Sequence, residues 1–296
     1  MPKALISGVN GQDGSYLAEF LLSKGYEVHG TLRRSVNKNL DNIKGLDIKT
    51  HWATLENYAS LYKAVKDSMP DEVYHLAAQS FVTNSFEDEF STMSTNIHGT
   101  HYMLNICKEI IPKCRFFFAG TSEMFGNQET PQGINTPMSP VSPYGISKLA
   151  GYNLCKYYRD AFKMFICCGI MFNHESPRRG VEFVTQKICL AAKRKEKVKL
   201  GNLDAKRDWG YAGDYVETMW MILQHPIWLD CVIATGKTHS VREFAELAYA
   251  YVGLNYKDYV VVDPCLYRPN ELHILRGDSC YKTKTTFNKL VELMMK

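Results

Sequence analysis

The 296-residue chain has no apolar stretch near the roughly 18 residues that a membrane-spanning helix needs, which argues against a membrane partner. No secretory leader is legible at its start, where Lys3-Ala4-Leu5-Ile6-Ser7 runs directly into Gly8; the expectation is a cytoplasmic protein. Its nine cysteines include no Cys-x-x-Cys pair and no zinc spacing. An odd count, with cysteines in apolar runs such as Phe165-Ile166-Cys167-Cys168, predicts reduced, buried thiols. His98 and His101 have a metal-like spacing but no evident third ligand, so no metal is expected. Excess charge is small, +4 at pH 7, which suits an anionic small ligand without demanding nucleic acid. The run Lys193-Arg194-Lys195-Glu196-Lys197 lacks the interleaved aromatics of a stacking platform and reads as a solvated helix end. Internal repeats and low-complexity segments are missing too.

What is present is ordinary globular composition, 45% hydrophobic and 22% charged. Strand-like runs at 3–7, 26–32, 72–76, 115–119 and 164–171 alternate with helical stripes at 15–24, 58–66, 96–110 and 143–161. That alternation predicts an α/β fold, a Rossmann-like doubly wound parallel sheet covered on both faces. After Phe172 the regularity fails. Segments rich in Asn, Asp, Arg, Pro and Gly at 173–180, 201–210 and 263–277 are separated by helical patterns at 214–223 and 241–251. The expected organisation is a nucleotide-binding domain over 1–172 that carries the catalytic residues. A smaller substrate-binding lobe over 173–296 follows, with some segments returning to the first domain.

The first strand ends in Gly8-Val9-Asn10-Gly11-Gln12-Asp13-Gly14. Gly8 permits a tight turn, Gly11 lets backbone approach a pyrophosphate, and Gly14 lets the next helix pack on the strand. The helix N-terminus then offers N–H groups and a positive dipole end to phosphates. Arg33 and Arg34 end the second strand, about twenty residues on, where an acidic residue would hold the ribose hydroxyl of NAD. Two guanidinium groups there favour the 2′-phosphate of NADP. Tyr144 and Lys148 share a helix face at i, i+4. A neighbouring cation favours the phenolate and makes Tyr144 a usable base. Upstream, Arg115–Ala119 empties into Gly120-Thr121-Ser122-Glu123.

The order Thr121-Ser122-Glu123 … Tyr144-x-x-x-Lys148 resembles the extended short-chain dehydrogenase/reductases that act on nucleotide sugars. Four further blocks are similar to the GDP-mannose 4,6-dehydratases. They are Gly11 to Leu22, Leu76-Ala77-Ala78-Gln79-Ser80, Asn173-His174-Glu175-Ser176-Pro177-Arg178-Arg179-Gly180, and Gly201 to Gly210 with its Lys206-Arg207-Asp208-Trp209-Gly210. The resemblance spans Pro2 to about Asp278.

It implies loss of water from GDP-mannose by C4 oxidation, C5/C6 elimination and return of the hydride to C6. Tyr144, assisted by Lys148, would take the O4 proton, Thr121 would hydrogen-bond the sugar oxygen, and Glu123 would remove the C5 proton. NADP would lie on Gly8, Gly11, Gln12, Asp13, Arg33, Arg34, Leu55, Leu76, Ala77, Ala78, Gln79, Ser80, Tyr144, Lys148, His174 and Arg179. The nucleotide sugar would meet Ser80, Ser122, Asn173, Lys187, Arg207, Arg268 and Glu271. His75 reads as a satisfied strand residue. The resemblance also implies a homodimer through the 96–110 and 143–161 helices.

The chain departs from the family pattern at Thr54, Phe81 and Ser91, where Asp, His and Tyr are usual, and in the short Ser35-Val36-Asn37-Lys38 segment. That last change removes the basis for a tetramer. Dehydration of another GDP-sugar such as a heptose, an epimerase or reductase activity, and a non-catalytic binding role stay open as alternatives.

Overall fold

The computed structural model describes residues 1–34, 40–267, 270–279 and 281–296. Its centre is a seven-stranded parallel sheet: β1 (Lys3–Ser7), β2 (Glu27–Leu32), β3 (Ile48–Trp52), β4 (Glu72–His75), β5 (Arg115–Thr121), β6 (Phe165–Met171) and β7 (Asp230–Ile233). The strand order is 7-6-5-4-1-2-3, so the direction of strand addition reverses between β1 and β4. Ligands of such sheets bind at the carboxyl ends of the strands, at that reversal.

The helices are α1 (Gln12–Ser23), α2 (Tyr58–Ser68), α3 (Val82–Glu87), α4 (Glu89–Met93), α5 (Gly99–Ile110), α6 (Pro143–Phe162), α7 (Val184–Arg194), α8 (Ala212–Gln224), α9 (Val241–Tyr251) and α10 (Phe287–Met295). Alternation along β5 sends Phe116 and Phe118 to one face and Phe117 and Ala119 to the other. The first face is covered by α2, α5 and α6 through Leu61, Val65, Met103, Leu104 and Tyr152. The second is covered by α1 and α8 through Leu17, Leu21, Tyr215 and Met219. Being apolar on both sides, β4 to β6 read as continuous hydrophobic runs, as central parallel strands do. A third core, under α7, α9 and α10, gathers Ile188, Phe244, Ala248, Val291 and Met294.

β3, α3, α4 and α7 have no counterpart among the expected runs, and three further differences have a local reason. β7 lies inside the irregular C-terminal region, yet pairs with β6 in the register Asp230↔Cys168 to Ile233↔Met171. Four residues are too few to display a period; the carboxylate of Asp230, held by Arg159, fixes this strand instead. α1 begins three residues early, inside the glycine turn, because Gly11 precedes its first residue in extended conformation. The helix expected over 96–110 opens with a π turn over Ser94–His98 before α5. Such turns mark functional sites frequently, and this one seats the side chain of Asn96.

Candidate active site

A cleft of about 570 Å³ opens at the carboxyl ends of the strands. Its floor comes from the sheet and its outer wall from the C-terminal lobe. The glycine turn behind it is held by close backbone approach. Gly8 has φ +74°, and a Cβ there would sit 3.2 Å from the Cα of Ala77. A Cβ on Gly14 would overlap the carbonyl oxygen of Gly8. Ser7, at the end of β1, clamps the opposite loop: its Oγ accepts from the amides of Leu76 and Ala77, each at 3.0 Å.

Beyond β5, a 3-10 turn over Ser122–Met124 swings Glu123 back to the cleft. Its amide donates to Thr121 Oγ1 at 3.3 Å. α6 starts at a strong N-terminal signal, Ser142 accepting from Gly145 N at 3.1 Å with Pro143 in the first turn. Tyr144 and Lys148, one turn apart and both buried, therefore present to the same cleft as Thr121 and Glu123. Asn96 ties this helix to the 76–80 loop. It donates to Ser147 Oγ at 2.9 Å and to the Gln79 carbonyl at 3.0 Å, and accepts from Gln79 N at 2.9 Å. Ser147 in turn donates to the carbonyl of Tyr144 at 2.8 Å.

The electrostatic balance at Tyr144 runs opposite to the expected one. Burial pushes its hydroxyl well above the ordinary tyrosine range; the hydrogen bond with Thr121 opposes this only in part, and the Glu123 charge adds to it. Lys148 donates to the Ala119 carbonyl at 2.9 Å and lies 5.1 Å from the Phe118 ring centre. Burial pulls its ammonium down to about 8. Desolvation outweighs the mutual support that spacing on a helix suggested.

The other expected residues fall into four groups. Asp13, Leu76, Ala78, Ser80, Ser122, Asn173, His174, Arg179, Lys187, Arg207 and Glu271 line the cleft with the four above. Gly8, Gly11, Gln12, Ala77 and Gln79 stand behind that lining as its support. Arg33 and Arg34 are exposed beyond the end of β2, and Leu55 is buried in the α2/α5 core against Gly99. Arg268 and the Ser35-Val36-Asn37-Lys38 segment lie outside the described residues. His75 is buried, with Ser7 Oγ at 3.1 Å and Thr100 Oγ1 at 3.2 Å, and no metal-ligand cluster occurs among the described residues.

Several site residues escape the sequence patterns. Glu175, fully buried, accepts from Thr185 Oγ1 at 2.6 Å and pairs with Arg179 at 3.0 Å. Arg179 also lies 3.5 Å over the ring of Phe183, which meets Phe81 edge-on at 5.5 Å across the cleft mouth. Asp208 is buried and gathers the amides of Thr235, Gly236 and Gly277 at 2.8 to 3.2 Å, bracing the lobe around Arg207. Arg207 pairs with Glu271 at 3.0 Å. Glu175 and Asp208 lie within blocks that carry the resemblance, and Asn96 left a signal of its own, a polar residue inside an apolar helical stripe.

A nicotinamide dinucleotide fits these features. The α1 N-terminus carries no side-chain cap from Gly11, and the Gly8–Ala77 approach leaves a cradle that a Cβ would fill.

A family model described as GDP-mannose 4,6 dehydratase matches residues 5–294. GDP-mannose 4,6 dehydratase 2 of Arabidopsis thaliana is 45% identical over 318 residues, covering 99% of this chain and 85% of its own length. The Homo sapiens GDP-mannose 4,6 dehydratase is 43% identical over 320 residues, covering 96% of this chain and 86% of its own. Among solved structures, UDP-glucose 4-epimerase of Thermus thermophilus in complex with NAD superposes with a TM-score of 0.90 at 22% identity, over 99% of this chain and 97% of that one. The dTDP-glucose 4,6-dehydratase of Bacillus anthracis with NAD gives 0.86 at 20% identity, over 99% and 96%. These two likenesses concern the fold.

Proposed function

Because the chain belongs to the GDP-mannose 4,6-dehydratase family, we propose that its cleft converts GDP-mannose to GDP-4-dehydro-6-deoxymannose and water, as a hydro-lyase with a bound nicotinamide dinucleotide. The observation that carries this reading is the meeting of Thr121, Glu123 and Tyr144 in one cleft beside the glycine turn. NADP is the preferred dinucleotide, because Arg33 and Arg34 follow β2 where a 2′-phosphate would need cations.

A bound nicotinamide dinucleotide would supply a reversible hydride acceptor for C4 and C6 of the sugar. Tyr144 receives the O4 proton; its raised affinity for protons makes it a strong base once ionised. Lys148, held on the Ala119 carbonyl, keeps a positive charge in the same cleft below about pH 8. Thr121 donates toward the sugar oxygen where charge develops. With C4 oxidised, the C5 proton becomes acidic; Glu123 removes it and passes it to the C6 hydroxyl, which leaves as water, and the proton taken from O4 balances the one that C5 regains when the hydride reaches C6. Lys187 and Arg207 supply cations for the diphosphate, with Asn173 beside them, and Glu271 orients Arg207 at 3.0 Å.

The test is mass spectrometry of GDP-mannose incubated with the purified protein and catalytic NADP⁺. The expected product is lighter by one water with no net cofactor reduction. Unchanged GDP-mannose with a folded, NADP⁺-binding protein would overturn the substrate assignment. Net NADPH consumption on a 4-keto sugar would replace the dehydratase by a reductase.

A further inference from the structure

His174 and Asp13 are 161 residues apart in the chain and 2.8 Å apart in the cleft, Nε2 to Oδ2. Their partners fix one proton and leave a second shared between them. Nδ1 of His174 lies 2.7 Å from the carbonyl oxygen of Phe172, which can only accept, so Nδ1 carries a hydrogen. The carboxylate of Asp13 takes a second hydrogen bond from Gln12 Nε2 at 3.0 Å on Oδ1, and an ionised carboxylate also only accepts. One hydrogen therefore lies between Nε2 and Oδ2, and with Asp13 ionised it sits on Nε2, which makes the ring an imidazolium. Burial opposes the charge on both groups. Each nevertheless stabilises the other, leaving His174 raised and Asp13 lowered. The other groups facing the pair are Arg179, which adds positive charge beside Asp13, and the neutral hydroxyls of Tyr144 and Tyr215. The Tyr215 ring stacks on the imidazole at 4.5 Å between centres.

Asp13 sits in the first turn of α1, beside the N–H groups that a pyrophosphate needs. A bare carboxylate there would repel an anionic ligand and compete for the same dipole end. We infer that His174 is a positioning residue, a fixed imidazolium that neutralises Asp13 and keeps the α1 N-terminus open to the pyrophosphate of a dinucleotide. The pair also ties the first turn of the sheet domain to the segment that follows β6. This inference rests on the dinucleotide part of the proposed function and not on the choice of sugar.

Two measurements test it. ¹⁵N NMR of the cofactor-free protein followed against pH should show the His174 ring losing its proton only above the ordinary value of about 6.5; a ring already neutral at that pH would overturn the inference whatever the protein catalyses. Binding of NADP⁺ by calorimetry should weaken by about tenfold or more in His174→Gln, because Asp13 is left uncompensated. Adding Asp13→Asn to His174→Gln should restore most of the loss. A double variant as weak as His174→Gln would mean that the histidine acts through packing or direct contact alone. Should His174→Gln fail to fold, the ring titration in the wild-type protein decides the inference alone. Loss of dehydratase activity with this binding pattern intact would count against the sugar assignment and leave the inference standing.

Discussion

Ser7 Oγ and His75 Nδ1 lie 3.1 Å apart, at the carboxyl ends of neighbouring strands, and their hydrogens run in one direction. Ser7 already accepts from two amides, so its single hydrogen goes to Nδ1. His75 then donates through Nε2 to Thr100 Oγ1 at 3.2 Å, and Thr100 donates to the Asn96 carbonyl at 2.7 Å. A neutral histidine thus links the cofactor turn to the residue that holds the 76–80 loop against α6.

Ser7→Ala removes the acceptor shared by the Leu76 and Ala77 amides. The expected loss is about 2 kcal/mol of unfolding free energy, because partly buried donors lose a partner that water replaces poorly. Urea denaturation measures it, and a midpoint equal to wild type would show that the loop is held by other contacts.

His75 makes stability fall in acid. Burial, with the charge of Lys148 adding, lowers its ring to about 3, against about 6.5 in the unfolded chain. Below pH 6.5 the unfolded state takes up a proton that the folded state refuses, so stability rises with pH throughout that window. Its contribution is complete above the unfolded value and is lost as pH drops toward 3, on the order of 3 kcal/mol between pH 6.5 and 4. Urea midpoints of the wild type and His75→Gln, taken over that range, should differ in slope; parallel profiles would contradict the assignment.

Glu123→Gln removes the base without changing shape. Water loss from GDP-mannose should slow by about 10³-fold. C4 oxidation should remain visible as transient absorbance of reduced nicotinamide. Undiminished elimination would transfer the C5 proton to another group.

Asp230→Asn breaks the ion pair with Arg159, whose two side chains are 4% and 10% exposed, and weakens the bonds from Tyr152 and Cys168 N. A loss of about 3 kcal/mol is expected, since the Arg159 charge is left buried without its counter-ion. Replacing Arg159 as well, by Met, should recover part of it in thermal melts. If the single variant melts with the wild type, β7 is secured by apolar packing alone.

Much of the site was legible where local rules operate. The glycine turn demands φ +74° at Gly8 and no side chain at Gly14, and both demands leave glycines in the sequence. Ser142-Pro143 starts α6, and a spacing of four puts Tyr144 and Lys148 on one face. Alternating β and α periods specify a parallel sheet, and the end of β5 delivers Thr121 and Glu123. These features depend on neighbours within a few residues, so the amino-acid order determines them.

Tertiary structure alone decided the rest. Asp13 meets His174, Glu175 meets Thr185 and Arg179, and Asp230 enters the sheet through Arg159. The protonation of Lys148 and Tyr144 follows from how deeply the cleft buries them, and at Tyr144 that depth reversed the effect read from spacing. Coulomb attraction and desolvation depend on distance and solvent access in three dimensions, which residue order along the chain does not express.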